Sequence, residues 1–263
     1  KNVLVKDLQG VETLGAITVL ATDKTGTLTQ NKMSVVGSWL NGQILSATGT
    51  AEGTFEGLLT NSTPNLPALI DCCSLCTKSK FDPMDADKPI EERTIFGDAT
   101  EAGLLRFAEN FLNVTEYLDR HHKTFEIPFS SASKWHMTVN ALGHEKGDLT
   151  MFIKGAPERV AGLCKWIQIN DEVKPWTDET TEEFNRAYEC FASRGQRVLA
   201  FGRKQLDKNE FPLEFEFKRE TPRNFPDDEF IFMGLISLMD PPKKGVTKAV
   251  AASRTSGIQV VMI

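Results

Sequence analysis

The apolar positions of the chain fall into two periods, and the switches between them mark out its elements. Ile17 to Thr22 is an apolar, β-branched run ending on Asp23, the pattern of a buried parallel strand with a polar carboxyl end. Met33 to Leu40 and Gln43 to Thr48 flank Asn41-Gly42, a strong hairpin signal. Asn65 with Pro67 predicts a helix through Ile70 and Leu75 to about Thr77. Asp98 followed by Glu101 resembles a capping box that opens a helix through Leu104, Leu105, Ala108 and Phe111.

Thr124 to Phe129, Trp135 to Leu142 and Leu149 to Lys154 read as three strands. Thr177 caps a predicted helix containing Phe184, Ala187, Tyr188 and Phe191, closed by Gly195, and Val198 to Arg203 returns as a strand. Gln205 to Asp228 is charged and Pro-bearing, hence a long surface loop. Phe230 to Met239 reads as another buried strand, broken by Asp240-Pro241-Pro242. Lys243 to Ser256 then predicts a helix, Gly257 its terminator, and Gln259 to Ile263 a strand. The expected fold is α/β (α+β), with the two ends as pieces of one α/β unit and a mixed antiparallel sheet with flanking helices inserted between them. The boundaries drawn are 1–30, 31–238 and 239–263.

Composition narrows the function classes. The 263 residues include 36 acidic and 30 basic side chains, a formal net charge of −6, with 40% hydrophobic and 25% charged residues. Collagen, coiled coil and wholesale disorder are excluded. A mildly acidic total argues against a nucleic-acid partner but permits a local basic pocket. The longest apolar run covers about half a bilayer, so the chain is expected to be soluble rather than membrane-inserted. Five cysteines at no framework spacing point to reduced thiols and a cytosolic setting. Cys73-Ser74-Leu75-Cys76 lacks a second pair or a nearby His to complete a zinc site, and reads as buried thiols in a helix. Lys1 and Ile263 look like cut ends of a longer protein.

The informative chemistry lies in Asp23-Lys24-Thr25-Gly26-Thr27-Leu28-Thr29. A carboxylate at the carboxyl end of a parallel strand sits where open α/β sheets place ligands. With magnesium and a lysine to offset charge, it can attack a γ-phosphate and hold it as an acyl phosphate. The hydroxyls of Thr25 and Thr27 and the free amides around Gly26 suit phosphate oxygens. The chain has neither GxxxxGK[ST] nor GxGxxG, so P-loop and Rossmann nucleotide binding are disfavoured.

That segment resembles the phosphorylation signature of the P-type ATPases, the cation pumps that pass through an aspartyl phosphate. The resemblance continues in Lys154-Gly155-Ala156-Pro157-Glu158 and Asp240-Pro241-Pro242, in the expected order. Val11-Glu12-Thr13-Leu14-Gly15, Gly97-Asp98-Ala99-Thr100-Glu101 and Gly234-Leu235-Ile236-Ser237 narrow it. They are most similar to the type II sodium/potassium and proton/potassium pump catalytic alpha subunits, with calcium pumps more distant. The resemblance implies a nucleotide-binding domain inserted in a haloacid-dehalogenase-like, Rossmannoid phosphorylation domain. It also implies ATP with Mg2+, a place on the cytoplasmic face of a plasma-membrane pump, and sodium/potassium transport. As partners it implies the actuator domain, the rest of the phosphorylation domain, the transmembrane helices and an accessory beta subunit.

Carried over by resemblance, Asp23 is the phosphorylated residue and Lys24 its neighbouring cation. Thr25 joins Asp23 at the metal and contacts the phosphate. Phe129 matches the aromatic that stacks on adenine, Glu101 the carboxylate near the adenine amino group, and Asp98 the start of the same motif. Ser131 and Lys134 flank the base and phosphates, Lys154-Gly155 lines the pocket floor, and Arg197 reaches toward the phosphates. Each also has a plain reading. Glu101 completes the capping box, Phe129 is core, Lys134 is a solvated lysine, and Arg197 a helix-terminus cation. Gly155 beside Lys154 leaves room for a ligand.

Two departures and two alternatives stand beside this. Lys243 takes the place of an Arg common after the two prolines, and Gln196 replaces an acidic residue before Arg197. A haloacid-dehalogenase phosphatase would need Asp where Thr25 stands, and Thr there favours a long-lived phosphoenzyme. A non-catalytic interaction module, docking through the loop between Gln205 and Asp228, is the other class; nucleotide titration separates it.

Overall fold

The computed structural model describes residues 15–48, 55–142 and 148–263. Of the match Val11 to Gly15, Val11 to Leu14 lie outside the described residues. The chain divides into two compact units, one of the residues up to Lys32 with Asp240–Ile263, the other of Met33–Met239. It opens in the smaller unit with β1 (Val19–Thr22) and a tight turn over Lys24–Leu28.

The larger unit begins with a hairpin. β2 (Ser34–Leu40) and β3 (Gln43–Ser46) pair antiparallel across Asn41-Gly42, whose φ angles are 55° and 78°. Asn and Gly accept that left-handed pair, and the resulting turn has the twist of the flanking strands. β4 (Gly57–Leu58) adds in parallel to β3. Helices α1 (Leu66–Leu75), α2 (Ala99–Glu109) and α3 (Val114–Arg120) follow, with the small ladder β5 (Lys80–Phe81) and β6 (Ile95–Phe96) between the first two. β7 (Lys123–Ile127), β8 (Trp135–Leu142) and β9 (Asp148–Gly155) form an antiparallel meander. Next come the short α4 (Pro157–Ala161), the hairpin β10 (Cys164–Ile169) and β11 (Glu172–Pro175), then α5 (Asp178–Ala192), β12 (Arg197–Gln205) and β13 (Phe230–Met239).

Eight strands lie in the order β4-β3-β2-β13-β12-β9-β8-β7, and β10 with β11 joins at β13 to complete a ten-stranded sheet. Both faces are covered, which is why β13 is apolar at nearly every position. Leu69, Leu105, Phe152, Phe201 and Ile236 belong to the core under α1–α3. Met137, Ile153, Phe184, Phe191 and Phe232 belong to the core under α5.

Residues 206–229 form neither helix nor strand, but they are more than a charged surface loop. Phe217 stacks on Phe125 of β7 at 5.3 Å between centroids, and Phe225 meets the same ring edge-on at 5.5 Å. Phe211 and Phe215 extend the cluster. The aromatic side chains strap the segment to the sheet, helped by Arg219 over the Phe125 ring and Arg223 over the Trp135 ring.

In the smaller unit β14 (Gln259–Met262) pairs in parallel with β1, after helix α6 (Val246–Thr255). The expectation of a buried strand over Ile17 to Thr22 fails here. Val19 is 52% and Met262 60% exposed. A parallel pair is hidden only when helices cover both faces, and among the described residues these two strands form a sheet by themselves. α6 also starts later than the sequence predicts. Gly245, at φ +90°, is not helical, and the Lys243 N–H is bound to the Leu28 carbonyl at 2.9 Å.

Candidate functional site

The turn after β1 is braced by the Asp-Pro-Pro segment of the same unit. Gly26, at φ +74°, lets the chain reverse, and its N–H donates to Thr29 Oγ1 at 3.2 Å. Thr29 Oγ1 in turn donates to Asp240 Oδ2 at 2.5 Å, and the Lys32 N–H donates to Asp240 Oδ1 at 3.1 Å. The Gln30 N–H reaches the Pro241 carbonyl at 2.9 Å, and Lys243 Nζ donates to the Gly26 carbonyl. Asp240 is therefore consumed as a clamp. Asp23 is exposed, and its Oδ1 accepts from the Lys24 N–H at 2.7 Å, which turns the carboxylate over the start of the turn. Among the described residues no cluster of three or more His, Cys, Asp or Glu is arranged to hold a metal.

The other predicted site residues all lie in the larger unit. Asp98 caps α2, accepting from the N–H groups of Thr100 at 2.8 Å and Glu101 at 3.2 Å. Only half of the expected capping box forms. Glu101 does not reach back to Asp98, because a richer set of donors lies across from it. Its Oε2 accepts from Thr77 Oγ1 (3.0 Å), the N–H groups of Lys78 (2.9 Å) and Ser79 (3.0 Å), and Ser79 Oγ (3.0 Å). Its Oε1 accepts from Lys154 Nζ at 2.7 Å.

Burial by itself would raise the Glu101 pKa. The hydrogen bond from His136, the Lys154 ammonium and the Lys78 N–H outweigh it, and hold the carboxyl well below the usual range. Lys154 is 5% exposed and projects from β9 toward α2. Its neighbour Gly155 does not leave space for a ligand, as the sequence implied. A Cβ there would strike the Lys134 carbonyl and the Trp135 backbone, so glycine is required for the approach of the β8 strand end.

That approach joins the remaining residues. The Ala156 N–H donates to the Lys134 carbonyl at 2.9 Å, and the Lys134 N–H to the Ser130 carbonyl at 2.8 Å. Ser130 Oγ and Ser133 Oγ, 2.7 Å apart, close the same turn, which carries Ser131 on its exposed side next to Phe129. Phe129 is 61% exposed, so its reading as a core residue does not hold. Arg197 Nη1 donates to Thr100 Oγ1, bringing its guanidinium to the first turn of α2 rather than to the end of α5. Glu101 and Lys154 thus pair directly, Asp98 and Arg197 both bond to Thr100 in the first turn of α2, and Gly155 abuts the Lys134 main chain, with Phe129 and Ser131 in the adjoining turn. A concavity lined by Asn41, Gln43, Thr60, Thr63 and Asn170 involves none of them.

Three parts of this constellation escaped sequence reasoning: the 77–79 turn, Glu126 and His136. His136 Nε2 lies 2.7 Å from Glu126 Oε1, and Nδ1 lies 3.3 Å from Glu101 Oε1. The register that would have revealed them pairs Glu126 with Thr138 and His136 with Lys154, and it is not visible in one strand's pattern. The Cys73–Cys76 pair is, as read, a set of buried thiols; burial pushes the Cys76 thiol up to about 11 and Cys73 higher still.

Residues 65–245 match the family of the P-type ATPase, cytoplasmic domain N. The potassium-transporting ATPase alpha chain 2 of Cavia porcellus is 39% identical over 266 residues, covering 100% of this chain and 26% of that protein. Its counterpart in Homo sapiens is 38% identical over 265 residues, covering 100% of this chain and 25% of that protein. The sodium/potassium-transporting ATPase subunit alpha of Hydra vulgaris is 38% identical over 268 residues, again with 100% and 25% coverage. The chain spans about a quarter of the length of these relatives.

Proposed function

This chain belongs to the P-type ATPases, as their cytoplasmic domain N, and from that premise we propose that its larger unit binds ATP for a cation pump. The adenine stacks on Phe129, flanked by Ser131 and Lys134. Lys154 and Glu101 form the floor as an ion pair, Asp98 holds the first turn of α2, and Arg197 answers the triphosphate charge. The cationic groups match a polyanion, and the phenyl face matches a purine. The observation that supports this best is the exposed ring of Phe129 beside a turn of serines and a lysine.

In the intact protein Asp23 is the acceptor of the γ-phosphate. One carboxylate oxygen bonds to the γ-phosphorus, the bond to the bridging oxygen breaks, and ADP leaves. Lys24 offsets the gathering charge, and the hydroxyl of Thr25 contacts the phosphate. The Asp23 carboxylate and the Thr25 carbonyl are hard oxygen donors that fit Mg2+, which when bound supplies charge neutralisation at the phosphate. The cycle drives sodium/potassium exchange at the plasma membrane, with the actuator domain, the remaining phosphorylation domain, membrane helices and an accessory beta subunit as partners. The described residues include no helix long and apolar enough to cross a membrane.

Titrating ATP against wild type and Phe129→Ala tests the binding site. Loss of stacking worth about 1–3 kcal/mol lowers affinity roughly 5- to 150-fold. Equal binding by both proteins removes Phe129 from the site, and no binding by either removes the reading.

A further inference from the structure

The sheet has two faces where β7, β8 and β9 meet, and the nucleotide site uses one of them. Glu126, His136 and Lys154 lie on the α2 side, where they meet Glu101 or each other. Phe125, Trp135 and Ile153 point the opposite way, into the core under α5. The strap of residues 206–229 packs on that second face, behind the site. From it Arg223 sets its guanidinium over the Trp135 indole, 5.3 Å from the ring centroid, and pairs with Asp227. Among the described residues the buried Nε of Arg223 has no hydrogen-bond partner, so the indole and Asp227 are what hold the group. Trp135 is tied in turn to the site. Its main chain abuts Gly155, and its carbonyl accepts from Ser133 Oγ at 3.4 Å. Ser133 belongs to the turn that ends on Lys134, at φ +59°, whose N–H bonds to the Ser130 carbonyl.

We propose that Arg223 is a positioning residue of the nucleotide site: its cation–π contact fixes the Trp135 indole from behind the sheet, and with it the turn that presents Ser131 and Lys134 beside Phe129. This rests on the nucleotide reading above. Arg223 lies on the far side of the sheet from that turn's ligand face, so it acts through Trp135. The contact is strong enough to matter because the Arg223 side chain is only 17% exposed, and an indole face draws a cation shielded from water more firmly than an exposed one. Arg219, over the Phe125 ring, fastens the strap one strand further out and touches neither Trp135 nor the turn. Without Arg223 the indole loses its outer cover, and the strand end that carries Lys134 is free to rock.

The test is a double-mutant cycle on ATP affinity of the 263-residue chain at fixed pH, salt and magnesium, with Arg223→Met, Trp135→Leu and the two combined. Arg223→Met is expected to weaken ATP binding about three- to tenfold. In the Trp135→Leu background the same change is expected to do nothing further, because the ring it acts through is gone. An equal loss in both backgrounds means that Arg223 acts by its charge alone, and overturns the proposal. So does a lowered urea midpoint with unchanged affinity, which makes Arg223 a fastening of the strap and no more. If Trp135→Leu does not fold, uncharged adenosine replaces the cycle: its affinity is expected to fall with that of ATP in Arg223→Met, and an unchanged adenosine affinity is equally fatal. If Arg223→Met does not fold, Arg223→Gln takes its place. A wild type that binds no ATP removes the proposed function and this inference with it, whereas equal ATP binding by wild type and Arg223→Met removes the inference alone.

Discussion

Lys154 Nζ lies 2.7 Å from Glu101 Oε1, and the two side chains are 6% and 13% exposed. This contact ties the end of a central strand to the first turn of α2. The remaining oxygen of Glu101 gathers the 77–79 turn, so one carboxylate organises three segments. Its removal and the removal of its lysine therefore have unequal costs.

Lys154→Met is expected to destabilise the chain by about 3 kcal/mol, the lower end for breaking a buried pair, because Thr77, Lys78 and Ser79 still donate to Glu101. Glu101→Leu orphans those donors as well as Lys154 and is expected to cost more. Urea unfolding of both variants orders the two; the reverse order contradicts the contact scheme.

Acid should expose the same network. Glu101 and Glu126 titrate below their ordinary value of 4.5 in the folded chain, so the unfolded chain binds protons first as pH falls. Their contribution is complete above about pH 4.5 and is lost progressively below it. Unfolding free energy measured from about pH 6 down to 2.5 is expected to fall less steeply in Glu101→Gln than in wild type. Parallel acid limbs would show that Glu101 is not responsible.

Gly155→Ala places a methyl group against the Lys134 carbonyl and the Trp135 backbone. Overpacking of this kind costs about 1–3 kcal/mol, and the neighbours here are main chain, which yields poorly. A lowered melting temperature together with altered Trp fluorescence is the expected outcome. An unchanged midpoint would mean that the strand end moves freely.

Cys72, Cys73 and Cys76 are expected to resist alkylation in the native state, because their thiols are fully buried and burial raises their pKa values. Thiol titration before and after denaturation counts them. Rapid native labelling of the three would indicate that α1 opens readily.

Local signals were enough to place most elements. The alternation over Trp135–Leu142 and the apolar run Phe230–Met239 mark strands that the structure reproduces residue for residue. Asn41-Gly42 marks its hairpin, and Thr177 caps α5 through a bond to the Thr180 N–H. The type of each residue near the site was legible too, because the motifs around Asp23, Asp98 and Lys154 are short. What the sequence by itself could not determine is which partner each polar group takes. Glu101 had a local partner in the Asp98 backbone, yet its carboxylate went to Lys78, Ser79 and Lys154. His136 acquired meaning only when sheet register set it beside Lys154 and two carboxylates. Gly155 looked like space for a ligand and proved to be space for a neighbouring strand. Period and turn chemistry act over a few residues and can be read along the chain. Hydrogen-bond partners and burial depend on which distant segments meet, and only the tertiary structure decides that.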